Sequence, residues 1–197
     1  VRHLNSVRNS KELRAAHDAC VGKISSYYTE LSQNETLYKA WLHLQQSEAF
    51  NHYSQEQKKT IENALLSFRL SGVALNQNKK QQFKDIKQKL SLLKSAFESN
   101  VLDATHAWKK QLTEEKQLSG LPDYARAMAK QTAETEKMAG WVFTLDAPSY
   151  IAVMAYADDR ELRQEMYTAF STRASDQGPN AGEFDNSENL EEILRCR

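Results

Sequence analysis

Apolar side chains recur every three or four residues along most of this 197-residue chain, the spacing of one face of an α-helix. The first such run extends from about Ser10 to Ser32. Asn9 and Glu12 stand before it at the spacing of a capping box. Its apolar positions are Leu13, Ala16, Cys20, Ile24, Tyr27 and Leu31. The pattern predicts a first long helix with one apolar face, on which Cys20 would be a core residue.

Two shorter periodic runs follow, and each has its own capping box. Ser32 with Glu35 opens the first, and Ser54 with Gln57 opens the second. The apolar positions behind the two boxes are Leu37, Trp41 and Leu44, then Ile61, Leu65, Phe68 and Val73. Two more helices are therefore expected, with the second ending near Gly72.

The longest periodic run extends from Asn78 to Lys110, with Phe83, Ile86, Leu90, Leu93, Phe97 and Val101 on one seam. It predicts a long helix that forms half of a helical hairpin. Six lysines and a single acid, Asp85, lie between Lys79 and Lys94. A nucleic-acid surface and a solvated helix face both fit this run. The solvated face is preferred, because the 26 basic and 26 acidic residues of the chain cancel.

Helices separated by short breaks are predicted for the next part of the chain. After a break at 119–122, Pro122 would stand in the first turn of a helix that ends at Gly140. Its small-residue face would contain Ala125, Met128, Ala129 and Ala133. The run Trp141 to Leu145 is rich in β-formers and could be a strand of about five residues. Because no partner strand is evident, an extended connector is preferred.

Two further helix starts are marked by acids. Asp146 with Pro148 predicts a helix that ends at Tyr156, and Asp158 with Glu161 opens another that ends near Arg173. The second helix would bury Leu162, Met166 and Phe170. The whole pattern is all-α, with six or seven helices.

A long break from Thr172 to Ser187 precedes the last helix, which is expected to start near Glu188 behind Asp185. Within the break, the glycines and proline of residues 175–182 allow close approach of the backbone to a ligand. The same residues suit a plain helix-helix connection. Both interpretations stay open.

Several side chains invite a chemical interpretation, and each has a simpler one. Asp103 and His106 could share a metal or form an ion pair. The acid pairs Asp158-Asp159 and Glu191-Glu192 resemble pairs of acids used in hydrolysis, but both also suit the first turn of a helix. His17 with Cys20 could form a nucleophile pair, although Cys20 falls on the apolar face. The aromatics that could line a pocket, but are expected in the core, are Tyr27, Tyr28, Tyr38, Trp41 and Tyr53.

Length and composition suggest one domain over residues 1–197, with a sub-boundary near 119–122. No apolar stretch is long enough for a membrane span, and no signal peptide opens the chain. The two cysteines, Cys20 and Cys196, suit a reducing cytoplasm. The start at Val1 and the end at Arg197 within a helical pattern indicate a fragment, incomplete at both ends.

Four segments of the second half resemble the zinc oligopeptidases of the thimet oligopeptidase family. They are Thr144 to Tyr150, Arg160 to Tyr167, Ser171 to Gly182 and Asp185 to Ser187. Weaker likeness extends back through Asn100 to Thr105 and His3 to Val7. The resemblance implies an almost wholly helical fold and a parent enzyme that hydrolyses short peptides with zinc. In that family this region forms one wall of a deep channel.

The zinc helix of that family, with the sequence His-Glu-x-x-His, has no counterpart in this chain. Its five histidines are His3, His17, His43, His52 and His106, and none is followed by Glu or by His four residues later. The chain is expected to be the non-catalytic front part of the enzyme, with no catalytic or metal-binding residue of its own. Its partners would be short peptides and the catalytic domain. A non-enzymatic helical scaffold is the alternative.

Overall fold

The computed structural model describes residues 2–197 and is mainly helical in that range, as predicted. Nine α-helices occur within these residues, where six or seven were expected. They are α1 Arg2–Val7, α2 Lys11–Ser32, α3 Glu35–Gln46, α4 Gln55–Leu70, α5 Gln77–Ala107, α6 Asp123–Thr135, α7 Ala147–Tyr156, α8 Arg160–Ser171 and α9 Ser187–Arg195. Two short strands, β1 Lys109–Leu112 and β2 Trp141–Thr144, and two 3₁₀ turns, Glu48–His52 and Glu115–Leu118, complete the described secondary structure.

The chain divides into two compact units. Unit 1 contains the residues up to Ser95 together with Ile193–Arg197, and unit 2 is Ala96–Glu192. The predicted sub-boundary near 119–122 stays a prediction.

In unit 1, helix α2 has the predicted length, but Ser10 caps its start rather than Asn9. The Ser10 hydroxyl accepts a hydrogen bond from the Leu13 amide at 3.2 Å. Asn9 instead donates to the Asn5 carbonyl at 2.9 Å and accepts from Arg14 at 2.8 Å. Both residues carry a side-chain oxygen that suits an N-cap, so spacing alone does not choose between them.

Helices α3 and α4 pack on each other as an antiparallel helical pair joined by the 3₁₀ turn. The predicted cap at Ser32 is wrong, because Ser32 ends α2 and Asn34 accepts from the Leu37 amide at 3.0 Å. The capping box of Ser54 and Gln57 is confirmed in both of its hydrogen bonds.

Helix α4 ends at the predicted glycine. Gly72 has φ +81°, and the amide of Val73 donates to the carbonyl of Phe68 at 3.1 Å. This is the bonding of a Schellman motif, in which glycine adopts the left-handed conformation at little cost.

Helix α5 packs antiparallel to α2 within unit 1, so the packing of its seam on another helix is as predicted. The two helices are not the expected hairpin, because α3 and α4 lie between them in sequence. Ser95 donates to Asp18 at 2.7 Å at one end, and Lys84 pairs with Glu30 at 2.5 Å near the other. Lys80 is buried and pairs with Glu35 of α3 at 2.6 Å. Part of the lysine run therefore joins helices of this chain instead of facing solvent.

Unit 1 has a thin core. Ile61, Leu65, Val73 and Leu90 are buried, but most of the apolar face predicted for α2 is exposed. The expectation that Cys20 is a core residue is wrong, since its side chain is exposed. The periodicity of α2 marks an apolar face, but most of its positions stay exposed among the described residues of unit 1.

Unit 2 contains the two-stranded antiparallel sheet, in which Lys110 pairs with Phe143 and Leu112 with Trp141. The prediction of an extended connector at Trp141 to Leu145 is therefore wrong. The partner strand lies in residues expected to end the long helix, which instead ends at Ala107. Strand β1 has no alternation of apolar and polar residues, so its pairing with β2 could not be predicted from the sequence.

Helix α6 presents the predicted small-residue face, with Ala125, Ala129 and Ala133 at most 2% exposed. Two details of its ends are wrong. Pro122 is the N-cap and lies before the first turn, and the helix ends at Thr135. Gly140, with φ +79°, lies in the connection to β2.

The start of α7 at Asp146 and its end at Tyr156 are as predicted. For α8 the capping residue is Asp159, which accepts from the amides of Glu161 and Leu162 at 2.9 and 3.2 Å. Asp158 instead accepts from the Ser119 hydroxyl at 2.7 Å. The core of unit 2 forms around Phe143, Leu145, Val153, Leu162 and Met166, together with Leu112, Leu118 and Leu121.

Asn186 fixes the end of the long break in unit 2. It is 4% exposed, donates to the Phe97 carbonyl at 3.2 Å and accepts from Asn100 at 2.9 Å. Its amide donates to the Ala174 carbonyl at 3.1 Å, which draws the two ends of the break together. The Ser187 amide and hydroxyl both donate to Asp185, and the backbone bond lowers the pKa of that carboxyl.

Candidate functional site

Unit 1 has a groove between α2 and the first half of α5. It encloses a cavity of about 580 Å³. The helices approach closely where the Ser91 hydroxyl donates to that of Ser25 at 3.1 Å, and where Gly22 faces Gln88. The groove is lined by His17, Cys20, Val21, Ile24, Ser25, Tyr28, Thr29, Ser32, Ser71, Phe83, Lys87 and Ser91.

The groove is mainly apolar and open to solvent. Ile24 is 53% exposed and Tyr28 62% exposed, while Val21 and Phe83 are half-buried. A soluble protein rarely leaves a connected apolar surface of this kind without a binding role.

The polar groups of the groove are largely engaged in its walls. His17 is 8% exposed, and its Nδ1 lies 3.2 Å from the Asp18 carboxylate. The Thr29 hydroxyl donates to the Ser25 carbonyl at 2.8 Å. Among the lining residues, only Lys87 carries a permanent charge, and its ammonium lies 5.3 Å from the centre of the Phe83 ring. The groove therefore suits an apolar occupant with one negative group at its edge.

The predicted pair of His17 and Cys20 lies in this groove. His17 is buried and Cys20 is exposed, which reverses the expectation for the thiol. The described polar contact of the His17 imidazole is with the Asp18 carboxylate. Sequence reasoning missed Phe83 and Lys87 as groove residues, because their role appears only once α5 lies beside α2.

The loop at 175–182 in unit 2 is held mainly by its own hydrogen bonds. Gly182 donates to the Ser175 carbonyl at 3.0 Å, and the Ser175 hydroxyl donates to the Thr172 carbonyl at 2.7 Å. Pro179 lies beside Trp108 around a cavity of only about 10 Å³. The described geometry gives this loop a packing role and leaves its proposed role in binding substrate open.

Arg173, just before that loop, is fixed by an aromatic stack. The rings of Tyr150 and Phe170 lie 4.0 Å apart, and the guanidinium lies 3.7 Å above Phe170. Arg173 also donates to the Phe170 carbonyl. Burial lowers the pKa of Arg173, while Tyr150 acts in the opposite direction. These contacts of Arg173 and Phe170 stabilise the C-terminal end of α8.

The other residues singled out by sequence are scattered. His106 Nε2 lies 4.0 Å from the Asp146 carboxylate, with both side chains more than half exposed. Tyr27 and Tyr28 are exposed, so the core position expected for them is wrong. The remaining aromatics of that set, Tyr38, Trp41 and Tyr53, are partly buried.

The acid pairs do not form a hydrolytic site in the described geometry. Asp158 and Asp159 serve the two separate hydrogen-bonding roles given above. Glu191 and Glu192 lie in the second turn of α9, one turn later than expected. No group of three or more His, Cys, Asp or Glu side chains within residues 2–197 could hold a metal ion. No helix in this range is both long enough and apolar enough to span a membrane.

These features define a helical domain with an open apolar groove and, among the described residues, no metal centre. Residues 1–80 match the N-terminal domain family of neurolysin and thimet oligopeptidase. All 197 residues align with oligopeptidase A of Haemophilus influenzae at 50% identity and with that of Escherichia coli at 48%. A probable cytosolic oligopeptidase A of Arabidopsis thaliana is 34% identical over 204 residues.

The first 80 residues are therefore similar to the N-terminal domain of the thimet oligopeptidase family, the family that the motifs resemble. The chain is similar over its whole length to oligopeptidase A and spans about 29% of the length of the two bacterial relatives.

Proposed function

We propose that this chain is the N-terminal, non-catalytic part of a zinc metalloendopeptidase that hydrolyses short peptides. The observation that carries the proposal is 50% identity to oligopeptidase A over the whole chain, combined with coverage of only 29% of that relative. In the proposal, residues 1–197 form part of the wall of a peptide channel. The catalytic domain and its zinc ligands lie outside these residues.

Among residues 2–197, no group of side chains has the three ligands that a resident zinc ion needs. The described histidines are dispersed over helices and turns, and no third ligand joins any pair of them. No step of hydrolysis is therefore assigned to a side chain of this chain. Its proposed contribution is to shape the channel and to support the catalytic domain.

The proposed setting is the cytoplasm, with short peptides and the catalytic domain as partners. The free thiols of Cys20 and Cys196 suit a reducing compartment. A nucleic-acid partner is not proposed, because Lys80 and Lys84 pair with Glu35 and Glu30.

The test compares the full-length gene product with residues 1–197 expressed alone. We expect the full-length protein to cleave short fluorogenic peptides, to lose that activity with a zinc chelator and to regain it when zinc is restored. Residues 1–197 alone should neither cleave the peptides nor retain stoichiometric zinc after dialysis. Zinc retained by the short chain, or no hydrolysis by the full-length protein, would contradict the proposal.

A non-enzymatic helical scaffold is the second candidate, favoured by the exposed groove between α2 and α5. It predicts a full-length protein without a zinc-binding helix and without chelator-sensitive hydrolysis. The same assay therefore separates the two functions.

A further inference from the structure

The two helices that form the groove carry further exposed apolar side chains. Beyond the lining residues of the groove, Tyr27 and Leu31 on α2 are 60% and 39% exposed, and Ile86 on α5 is 46% exposed. Burial of such side chains is favourable by roughly 25 cal/mol for each Å² removed from water. A partner that covered the groove would therefore gain substantial free energy.

The chemistry of the groove fits protein side chains better than a small charged ligand. Its hydroxyls bond within the walls, as between Ser25 and Ser91, and its one permanent charge, on Lys87, lies over the Phe83 ring. A cavity of about 580 Å³ that is open along its length can receive several side chains from one segment.

The length of the relatives indicates where that segment comes from. This chain spans about 29% of oligopeptidase A, so most of each bacterial relative has no counterpart in residues 1–197. We infer that the groove is the docking surface for the remainder of the full-length protein. The occupant would be a segment with clustered apolar side chains and a carboxylate that reaches Lys87. This inference rests on the proposed function in that it assumes a full-length protein organised like its relatives.

Cys20 provides a natural reporter, because its exposed thiol lines the groove. The experiment alkylates the full-length protein with iodoacetamide and reads modification of Cys20 by mass spectrometry of its peptide. If the remainder of the protein covers the groove, the native protein should react at least about tenfold more slowly than the same protein in urea, since a buried thiol must wait for local opening. Equal rates would overturn the inference.

Two other occupants give different results in the same experiment. If the protection of Cys20 from alkylation falls as the protein is diluted, the occupant is a second copy of the chain. Protection that appears only when short peptides are added would identify a peptide subsite. Either result overturns docking of the remainder. Failure of the peptidase proposal is separate, because it would show as absent hydrolysis in the unmodified protein whatever the labelling rate.

A pair of variants gives an independent measurement in the full-length protein. Ile24→Glu places a charge in the groove, and because Ile24 is 53% exposed within unit 1, the change costs unit 1 little by itself. Ala19→Glu makes the same change at an exposed position of α2 outside the groove. We expect Ile24→Glu to lower the melting temperature by several degrees more than Ala19→Glu, because docking would bury an unpaired carboxylate. Equal shifts would contradict a covered groove.

Discussion

The two units differ in how far their apolar side chains are buried. In unit 2, Phe143, Val153 and Met166 are fully buried in one cluster that joins the sheet to α7 and α8. In unit 1, Ile24 and Tyr28 remain more than half exposed although they line the groove between α2 and α5. Unit 2 therefore encloses a connected apolar core, whereas unit 1 leaves apolar side chains of its groove exposed.

This difference suits a piece of a larger enzyme. A unit with a closed core derives its stability from its own contacts, and a unit with an open groove gains stability when a partner docks. Mutations should accordingly cost most in unit 2 when residues 1–197 are studied alone.

The largest expected effect is at the centre of the unit 2 core. Phe143→Ala should lower the free energy of unfolding by about 3–5 kcal/mol, because the side chain is 0% exposed and its loss leaves a cavity. Ile24→Ala in unit 1 should cost no more than about 1 kcal/mol in residues 1–197. Urea unfolding followed by circular dichroism measures both values. If both variants lose similar free energy of unfolding, the two units do not differ in how much their apolar side chains contribute to stability.

Next in size is the turn that joins the 3₁₀ segment to α6 in unit 2. Gly120 has φ +80°, and a Cβ there would lie 2.2 Å from the Tyr156 carbonyl oxygen. Gly182 has the same φ, but its Cβ would meet nothing within 4 Å. Gly182→Ala should cost about 1–2 kcal/mol from backbone strain alone, and Gly120→Ala distinctly more. Equal costs in urea unfolding would show that the turn relaxes freely.

Asn186 should have an intermediate effect, because it links the long break to α5 inside unit 2. Asn186→Ala removes the bonds to Phe97 and Asn100 and should cost about 1–3 kcal/mol. It should also speed amide hydrogen exchange in residues 175–182. The control is Asn180→Ala, which removes only an exposed bond to Glu183. If exchange in the loop is unchanged, the loop is held by other contacts.

The smallest effect concerns acid sensitivity in unit 1. Hydrogen bonds from Lys84 and Lys80 lower the pKa of Glu30 and Glu35 below the ordinary value of 4.5. Their stabilisation is therefore present above pH 4.5 and is lost as pH falls through the lowered values of the folded state. The double variant Glu30→Gln, Glu35→Gln should flatten the loss of stability of unit 1 in this acid range.

Unfolding at a series of pH values, followed by hydrogen exchange in the first half of α5, measures this loss. Glu62→Gln is the matched control, since Glu62 pairs with Lys59 on the surface of a single helix. An unchanged acid profile in the double variant would show that these ion pairs do not hold α5.

Much of the helical pattern could be predicted from sequence because it is local. Ser54 with Gln57, and Asp146 with Pro148, mark helix starts correctly, and Gly72 marks an end. The caps that were missed lie one or two residues from the expected ones. At each of them, neighbouring residues offer equivalent oxygens, and the approach of the chain decides which is used.

Non-local features could not be predicted in the same way. The pairing of Lys110 with Phe143 joins residues far apart in sequence, and β1 has no alternation of its own. The groove depends on where α5 lies against α2, so Phe83 and Lys87 gave no local signal of it. The exposure of Cys20 follows from the same cause, because periodicity defines an apolar face without showing what covers it.

The central claim is that residues 1–197 are the non-catalytic front part of a zinc endopeptidase. Sequencing the parent gene beyond the codon for Arg197 tests it most directly. The account predicts, in the same reading frame, a helix with the sequence His-Glu-x-x-His and a further Glu downstream. A reading frame that stops shortly after Arg197 without that helix would contradict the account and leave a helical scaffold.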